Sequence, residues 1–463
     1  MFHRSLRFYL LSFIFLSPFI VNAQTLSLKQ AVETALNNYG TIKAKNNYAN
    51  ASKEGISQAK RDYLPNLSVS AQQDYGTVNG QFGPQFGLGG LGIASSGPTL
   101  DKQNWNAAFG SLYLANINWD FFTFGKIKER IRVANATFKR DEQDLSQEKF
   151  QQEIRVSAAY LNLLAAQRLT RSQEKNLSRA QTFFNTAAIR AKNGLIAGVD
   201  SSLAGAEVSS AKIALTKARD LQQEQANKLG ILMGVSEIRF NVDTASITRI
   251  PNNYFTDTLV SAGHPLLQFY QKRIDVSVQQ EQYLRKLYLP TFSLFGVMQG
   301  RGSGFSAGYA LDQAAYSTSY LDAINPTRGN YLLGVGVTWN LATLVKNRPQ
   351  VKAQHFTSEG LKNEYELADQ QLKAQLKLAE AKLKNALDNY LEAPVQVKAA
   401  SDAYLQKSVL YKNGLTTLVD LTQAIFTLNR AETDRDIAYT NVWQALLLKS
   451  AALGNYELFI NEF

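Results

Sequence analysis

Hydrophobic and polar positions follow two different periods along the chain, and each period occurs in both halves. Residues 105–122 have a period of two, with aromatic and apolar side chains at the odd positions and asparagine, aspartate or glycine at many even ones. This alternation predicts a β-strand with one apolar face. Shorter alternating runs at 67–72, 292–299 and 331–340 predict three further strands.

Apolar side chains three and four residues apart predict helices in most of the remaining chain. The order helix, strand, loop, strand, long helix, shorter helix occurs twice. Each long helix would span about 100 Å at 1.5 Å per residue, which is too long for a compact domain. The predicted helices cover 26–63, 126–193, 199–233, 257–288, 344–413 and the segment from 420 to 453.

A short motif connects the long helix to the shorter one in each half. Lys-Asn-Gly-Leu and a following Val-Asp occur at 192–200 and again, with the same spacing, at 412–420. Glycine can end a helix in the left-handed conformation without steric cost. The aspartate can cap the next helix or lie in its first turn. Both copies therefore predict tight tips of αα-hairpins.

These repeats divide the sequence into five parts. We predict a signal peptide at 1–23, repeat 1 at 24–235, a linker at 236–256, repeat 2 at 257–455 and a C-terminal tail at 456–463. Arg4 and Arg7 precede a short apolar run and the small-residue site Val21-Asn22-Ala23, as in secretory signals. A membrane anchor is the alternative, but it needs about 20 apolar residues.

Four strands per chain have a consequence for assembly. The aromatic ends and polar opposite face of 105–122 favour a membrane β-barrel strand over a strand of a soluble sandwich. Open sheet edges are not tolerated in lipid, and transmembrane barrels begin at about eight strands. The chain is therefore expected to oligomerise. A trimer would supply twelve strands and a pore, while counting alone also permits a dimer.

Composition and motifs point away from several other functions. The formal net charge of +11 comes from cations scattered among acids on helices, which is typical of solvated faces and not of a nucleic-acid site. The run Gly87–Gly92 matches dinucleotide-binding letters without the surrounding βαβ unit. His264 and His355 have no metal-ligand spacing, and cysteine is absent. We predict no enzyme, cofactor or metal site.

The paired Leu-Pro dipeptides at 64–65 and 289–290, the duplicated tips and the internal repeat together resemble the TolC family of outer membrane efflux proteins. The resemblance implies an α+β membrane protein. Each of three chains would give four strands to a 12-stranded transmembrane β-barrel and its helices to a long α-helical periplasmic barrel. It implies a passive, porin-like exit duct in the Gram-negative outer membrane for a tripartite efflux pump or type I secretion system.

The resemblance also implies partners and site residues. A periplasmic adaptor would dock at the tips, and an inner-membrane transporter would supply energy. The docking residues, which match the family's Gly-Leu motif, are Gly194, Leu195, Gly414 and Leu415. The periplasmic gate would contain Asp420, Asp200, Tyr411 and Gln423. Thr416 and Gln423 replace an arginine and an aspartate of some members, so the closed-state lock is expected to differ.

Two other interpretations remain at this point. A secreted or surface coiled-coil scaffold or adhesin would explain the long helices without a pore. An outer-membrane enzyme on a barrel lacks candidate catalytic residues. On the channel interpretation, the Gly-rich segments 76–104 and 301–329 join paired strands and are expected to face the cell exterior.

Overall fold

The computed structural model describes residues 25–80, 97, 99–236, 239–243, 246–251 and 263–463. The predicted signal peptide and the run Gly87–Gly92 lie outside the described residues. So do most of the predicted loop 76–104 and part of the linker 236–256. The predictions for these segments therefore stay predictions.

Both repeats contain the order helix, strand, strand, long helix, helix, but repeat 1 has two helices before its first strand and repeat 2 has a short helix between its strands. Repeat 1 contains α1 (Leu28–Asn38), α2 (Gly40–Arg61), β1 (Asn66–Thr77), β2 (Ala107–Phe122), α3 (Lys126–Lys192) and α4 (Gly198–Met233). Repeat 2 contains α5 (Pro265–Leu284), β3 (Thr291–Ser303), α6 (Tyr320–Ile324), β4 (Arg328–Thr338), α7 (Ala342–Lys412) and α8 (Leu418–Leu453), followed by α9 (Glu457–Ile460). The predicted fold class, long helices with a four-stranded sheet, is confirmed.

The single helix predicted for 26–63 is wrong, because the chain leaves the helix at Tyr39. Ser27 begins α1 with a capping box in which it exchanges hydrogen bonds with Gln30. Tyr39 has extended backbone angles (φ −64°, ψ 124°) and donates its N–H to the Ala35 carbonyl as the last bond of α1. A new helix then starts at Gly40. Glycine has a low propensity for helix interiors, which is consistent with a break at this point.

The loop predicted for 301–329 is only partly a loop. It contains the end of β3, the helix α6 and the start of β4. Ser111 Oγ of β2 donates to the Ala323 carbonyl at 2.7 Å, and the Tyr113 hydroxyl donates to the Ile324 carbonyl at 3.0 Å. These bonds hold α6 against one face of the sheet, where Ala323 is buried. Periodicity could not predict α6 because it is only five residues long.

The four strands form one antiparallel sheet in the order β1-β2-β3-β4. The register aligns Leu67, Ile117, Gly296 and Leu333 in one row across the sheet. Apolar side chains on this face are largely exposed, among them Leu67, Val69, Leu333 and Val335. On the other face Ser293 donates to Asp120 at 2.6 Å. One face is therefore apolar and uncovered over much of its area, while the other carries polar pairs.

Within the described chain, β1 and β4 each pair with one neighbour only. An edge strand presents a row of unpaired N–H and C=O groups that can pair with another chain. The sheet thus ends in two free edges, of which β1 belongs to repeat 1 and β4 to repeat 2. Among the helices of the described ranges, none has both the length and the apolarity needed to cross a membrane.

Contacts divide the fold into two compact units, and each unit contains parts of both repeats. One unit contains Leu145–Gln268, Leu367–Phe463 and the described residues up to Lys45. The other unit contains Asn46–Asp144 and Phe269–Glu366, and it includes the sheet. The repeats of the sequence are therefore not the compact units of the fold.

The largest core cluster of the first unit joins α1, α3, α4 and α8. Its largest fully buried side chain is Trp443, whose ring lies 6.3 Å from that of Phe459 in α9. Phe463 packs 5.1 Å from the same indole. The C-terminal tail, which the repeat pattern leaves out, thus contributes aromatic side chains to this core.

Candidate functional site: the paired hairpin tips

The duplicated Asn-Gly-Leu motif folds into the same turn at both tips. Gly194 and Gly414 have φ values of 70° and 76°, which a side chain would strain. Leu195 donates its N–H to the Arg190 carbonyl at 2.9 Å, and Leu415 donates to the Leu410 carbonyl at the same distance. This is the Schellman bond that satisfies free carbonyls at a helix end. The predicted αα-hairpin tips are present.

The leucine after each of these glycines faces outward. Leu195 is 66% exposed and Leu415 is 72% exposed. Val199 and Val419, in the first turn of the following helices, are also exposed, although we did not predict them as site residues. None of the four belongs to the core cluster behind the tips. In the single chain, each tip therefore exposes apolar side chains to solvent.

Asp420 has well-defined partners at the second tip. Its Oδ2 accepts hydrogen bonds from Thr416 Oγ1 at 2.8 Å and from Thr417 Oγ1 at 2.9 Å. Its N–H donates to Thr417 Oγ1, which completes a capping box at the start of α8. The hydroxyls of Thr416 and Thr417, with a smaller effect of Lys407, lower the pKa of Asp420 below its usual value.

Asp200 has a different environment, although it is equivalent in the repeat. Residue 197 is alanine where the second repeat has Thr417, so α4 has no side-chain cap. Asp200 lies in the first turn of α4, near enough to Tyr411 for its negative charge to raise the pKa of the Tyr411 phenol. The equivalence of the two aspartates in sequence thus does not extend to their contacts.

Tyr411 lies in the core behind the second tip and is only 4% exposed. Its ring packs edge-on against Phe183 at 5.4 Å. Burial raises the pKa of the Tyr411 phenol; the positive charge of Arg190 opposes this and Asp200 adds to it. The hydroxyl has no hydrogen-bond partner in the described chain. Gln423, the fourth predicted gate residue, is exposed on α8.

Arg190 is a site residue that the sequence analysis missed. Its guanidinium carbon lies 5.3 Å from the centre of the Tyr411 ring. Nη1 donates to the carbonyl of Tyr411 and, at 3.2 Å, to that of Lys412. Arg190 therefore joins the end of α3 to the end of α7, so the first hairpin holds the second at their tips.

Two further arginines of α3 connect it to repeat 2 through ion pairs. Arg168 lies 3.1 Å from Asp436 and Arg179 lies 2.8 Å from Glu432, and both acids are on α8. Arg168, Arg179 and Arg190 are eleven residues apart, a spacing that keeps side chains on one helix face. We call these three residues the arginine row. The eleven-residue spacing is the signal that could have identified it.

The histidines do not form a metal site within the described ranges, where no three His, Cys, Asp or Glu side chains gather around a common point. His264 is buried and packs against Phe150. Its Nδ1 accepts the Leu266 N–H, and burial lowers its pKa. His355 is exposed and lies 3.5 Å from Glu281. The first is a packing residue, as expected, and the second is a surface residue.

Comparison with protein families identifies this architecture. Residues 31–235 match the family model described as outer membrane efflux protein. This match covers most of repeat 1. The resemblance inferred from the sequence motifs is confirmed. No curated protein matches this sequence.

Solved structures of outer membrane channels share the fold over most of the chain. The outer membrane protein VceC from Vibrio cholerae has a TM-score of 0.73 at 15% identity, covering 92% of this chain and 96% of that one. The CmeC outer membrane channel of Campylobacter jejuni has a TM-score of 0.72 at 14% identity, covering 92% and 85%. The open state of the MtrE outer membrane channel of Neisseria gonorrhoeae has a TM-score of 0.67 at 14% identity, covering 92% of this chain and 89% of that one. At these identities the likeness shows the fold alone, and because it covers 92% of the chain it includes repeat 2.

Proposed function

We propose that three copies of this chain form a channel in the Gram-negative outer membrane, which serves as the exit duct of an efflux pump or type I secretion system. The observation that carries the proposal is the four-stranded sheet, with an exposed apolar face and two free edges. Pairing β4 of one chain with β1 of the next removes both edges, as lipid requires. Three chains close a barrel of twelve strands, wide enough for a pore.

The helical hairpins would extend from this barrel into the periplasm. The exposed Leu195 and Leu415 support docking of a periplasmic adaptor at the tips, because apolar side chains at a turn are available to a partner. An inner-membrane transporter would then drive transport through the assembled duct. Near the threefold axis, Asp420, Asp200, Tyr411 and Gln423 would form the gate, with Thr416 in place of a lock arginine.

Engineered disulfides test the closed trimer, since the chain has no cysteine of its own. Gln72 of β1 and the alternate β4 positions Asn330, Leu332 and Gly334 lie on the polar face of the sheet. Gln72→Cys combined in turn with a cysteine at each β4 position should give, in one register, covalent dimers and trimers on a denaturing gel. Nothing larger should form.

The matched control is Gln72→Cys with Leu112→Cys, which are paired within one chain. This pair should form a disulfide without any increase in mass. Monomers alone in every β4 combination would contradict the trimer. A ladder that continues beyond three chains would contradict a closed barrel.

A further inference from the structure

Basic residues recur at equivalent positions in both repeats, next to the sheet. The basic residues before the strands are 225 residues apart between the repeats, which is the distance between the two Leu-Pro dipeptides. The basic residues after the strands are 220 residues apart, which is the distance between the two tips. The five pairs are Lys60 and Arg285, Arg61 and Lys286, Lys126 and Lys346, Lys128 and Arg348, and Arg132 and Lys352. We call them the basic collar. Its members lie at the end of α2, directly after the end of α5, and within the first eleven residues of α3 and α7.

Aromatic residues place the basic collar beside the apolar face of the sheet. Trp119 donates its indole N–H to the Tyr63 carbonyl at 2.7 Å, and Trp339 donates to the Tyr288 carbonyl at 3.0 Å. The same bond thus ties the strand end to the helix end in both repeats. Tryptophan and tyrosine mark the interfaces of membrane barrels. In the proposed duct, the basic collar would lie at the periplasmic boundary of the membrane.

In repeat 2, α7 and the residues that follow α5 line an open groove of about 560 Å³ in this region. The volume falls within the range of small-molecule sites, about 300–1,000 Å³. Apolar side chains form part of its wall, and Val345, on the same turn of α7, is exposed. The groove is lined by Arg285, Arg348, Lys352 and His355 together with the apolar Leu344 and Val351.

The groove carries more positive charge than its acids can neutralise. Among the described residues, the buried Glu281 binds Arg285 at 2.6 Å and lies 3.5 Å from His355. Glu359 is also near His355, but it pairs with Lys362. In the described part of the chain, Arg348 and Lys352 form no ion pair, and Lys352 lies 5.9 Å from the Phe356 ring. Two cations are therefore available to an anion, and an arginine can bind phosphate oxygens in a bidentate manner.

Asn347 supplies a second kind of contact in the groove. It is 4% exposed, and its Nδ2 donates to the Leu284 carbonyl. Its Oδ1 is buried and has no partner among the described residues. A buried acceptor without a partner is costly, so a hydroxyl or ammonium donor would stabilise it. One groove therefore contains three features: cations for a phosphate, an acceptor for a headgroup donor, and an apolar margin.

From this arrangement we propose that this groove binds the headgroup of an anionic phospholipid of the periplasmic leaflet. The phosphate would bind to Arg348 and Lys352, and a headgroup hydroxyl or ammonium would donate to Asn347. The acyl chains would leave over Leu344 and Val345 toward the apolar face of the sheet. This inference rests on the proposed membrane channel, because that placement brings the basic collar to the lipid headgroups.

Native mass spectrometry of the detergent-purified trimer tests the site, with phosphatidylglycerol and phosphatidylcholine as probes. The parent protein should bind phosphatidylglycerol in preference to phosphatidylcholine. Arg348→Gln with Lys352→Gln should weaken phosphatidylglycerol binding at least about tenfold, since charge-assisted hydrogen bonds to phosphate are lost. The matched control, Lys382→Gln with Lys384→Gln, removes two exposed charges farther along α7 and should bind as the parent does.

Each other outcome overturns the proposal. Equal binding of the two lipids by a stable trimer, or an equal loss in the control variant, removes the lipid site and leaves the channel intact. Full competition by equimolar glycerol phosphate would show an anion site that does not need a lipid. Absence of lipid from the trimer would show that a neighbouring chain covers the groove. A protein that purifies as a monomer contradicts the channel itself, and the lipid site with it.

Discussion

At the scale of residues, the two tips differ despite their shared motif. Asp420 accepts hydrogen bonds from two threonine hydroxyls, whereas Asp200 follows an alanine cap and lies near Tyr411. Arg190 covers the Tyr411 ring and binds the carbonyls that end α7. A change at Asp420 should therefore act on the start of α8, while a change at Arg190 should act between the hairpins.

Asp420 allows capping and pore electrostatics to be separated. Asp420→Asn keeps an oxygen that can accept from Thr417 but removes the charge, so thermal stability should stay close to the parent while cation selectivity in planar bilayers falls. Asp420→Ala removes both functions and should lower stability as well. Unchanged selectivity in both variants, with stability lost only in Asp420→Ala, would mean that Asp420 is only a cap. Asp388→Asn, an exposed acid on α7, is the control.

The lowered pKa of Asp420 gives the sign of its pH dependence. A carboxyl whose folded pKa lies below its unfolded value stabilises the fold above the unfolded pKa, and this stabilisation is lost as the pH falls through the folded pKa. Acidification should therefore reproduce the Asp420→Asn phenotype in the parent protein, because a protonated carboxyl loses its charge but keeps an oxygen that can accept a hydrogen bond. The Asp420→Asn variant should lack this part of the pH response.

At the scale of elements, the arginine row connects α3 of repeat 1 to α7 and α8 of repeat 2. Arg179 and Glu432 are each 15% exposed, so water screens this pair little. Removing one partner of such a pair leaves a poorly solvated charge, while removing both does not. The row has no counterpart in repeat 2, where the equivalent positions are Asp388, Ala399 and Leu410.

A double-mutant cycle tests this connection. Arg179→Met alone should cost about 3 kcal/mol of unfolding free energy, and Arg179→Met with Glu432→Leu should cost less than the sum of the single changes. Guanidinium unfolding followed by the helical circular dichroism signal measures both. As a control, Arg219→Met breaks the exposed pair with Glu174 and should cost less than about 1 kcal/mol. Equal costs for Arg179→Met and Arg219→Met would contradict a buried connection.

At the scale of the whole molecule, the free sheet edges and the exposed hairpin tips are suited to different partners. In the proposed ring, β4 of each chain would pair with β1 of the next copy of the same chain. The tips offer Leu195 and Leu415, which no described element covers. In the proposed assembly, membrane insertion and adaptor docking thus depend on separate sets of residues and can be impaired separately.

Leu195→Asp with Leu415→Asp should therefore abolish export while the yield of trimer stays normal. The charge would make the tips unsuited to an apolar contact. Dye accumulation in cells that lack the wild-type protein measures export, and cross-linking to a co-expressed periplasmic adaptor measures docking. Ile231→Asp, a similarly exposed position at the other end of α4, should leave both unchanged. Loss of the trimer in the tip variant would favour local packing of the leucines instead.

The sequence by itself determined the repeat, the order of the main elements and the position of both tips. Alternation at 105–122 identified β2, and Leu-Pro at 64–65 and 289–290 marked the helix ends before β1 and β3. These signals are local, since periodicity and the conformations of glycine and proline act within a few residues. The domain boundaries and the roles of the tip and gate residues stay predictions.

Contacts between distant residues decided the rest. The short helix α6 of repeat 2 depends on hydrogen bonds from Ser111 and Tyr113, which belong to β2 of repeat 1. The packing of the C-terminal tail against Trp443 and the contact of Arg190 with Tyr411 likewise join distant segments. No local sequence pattern predicts such contacts, because they stabilise the protein only after distant segments have packed together within a compact unit.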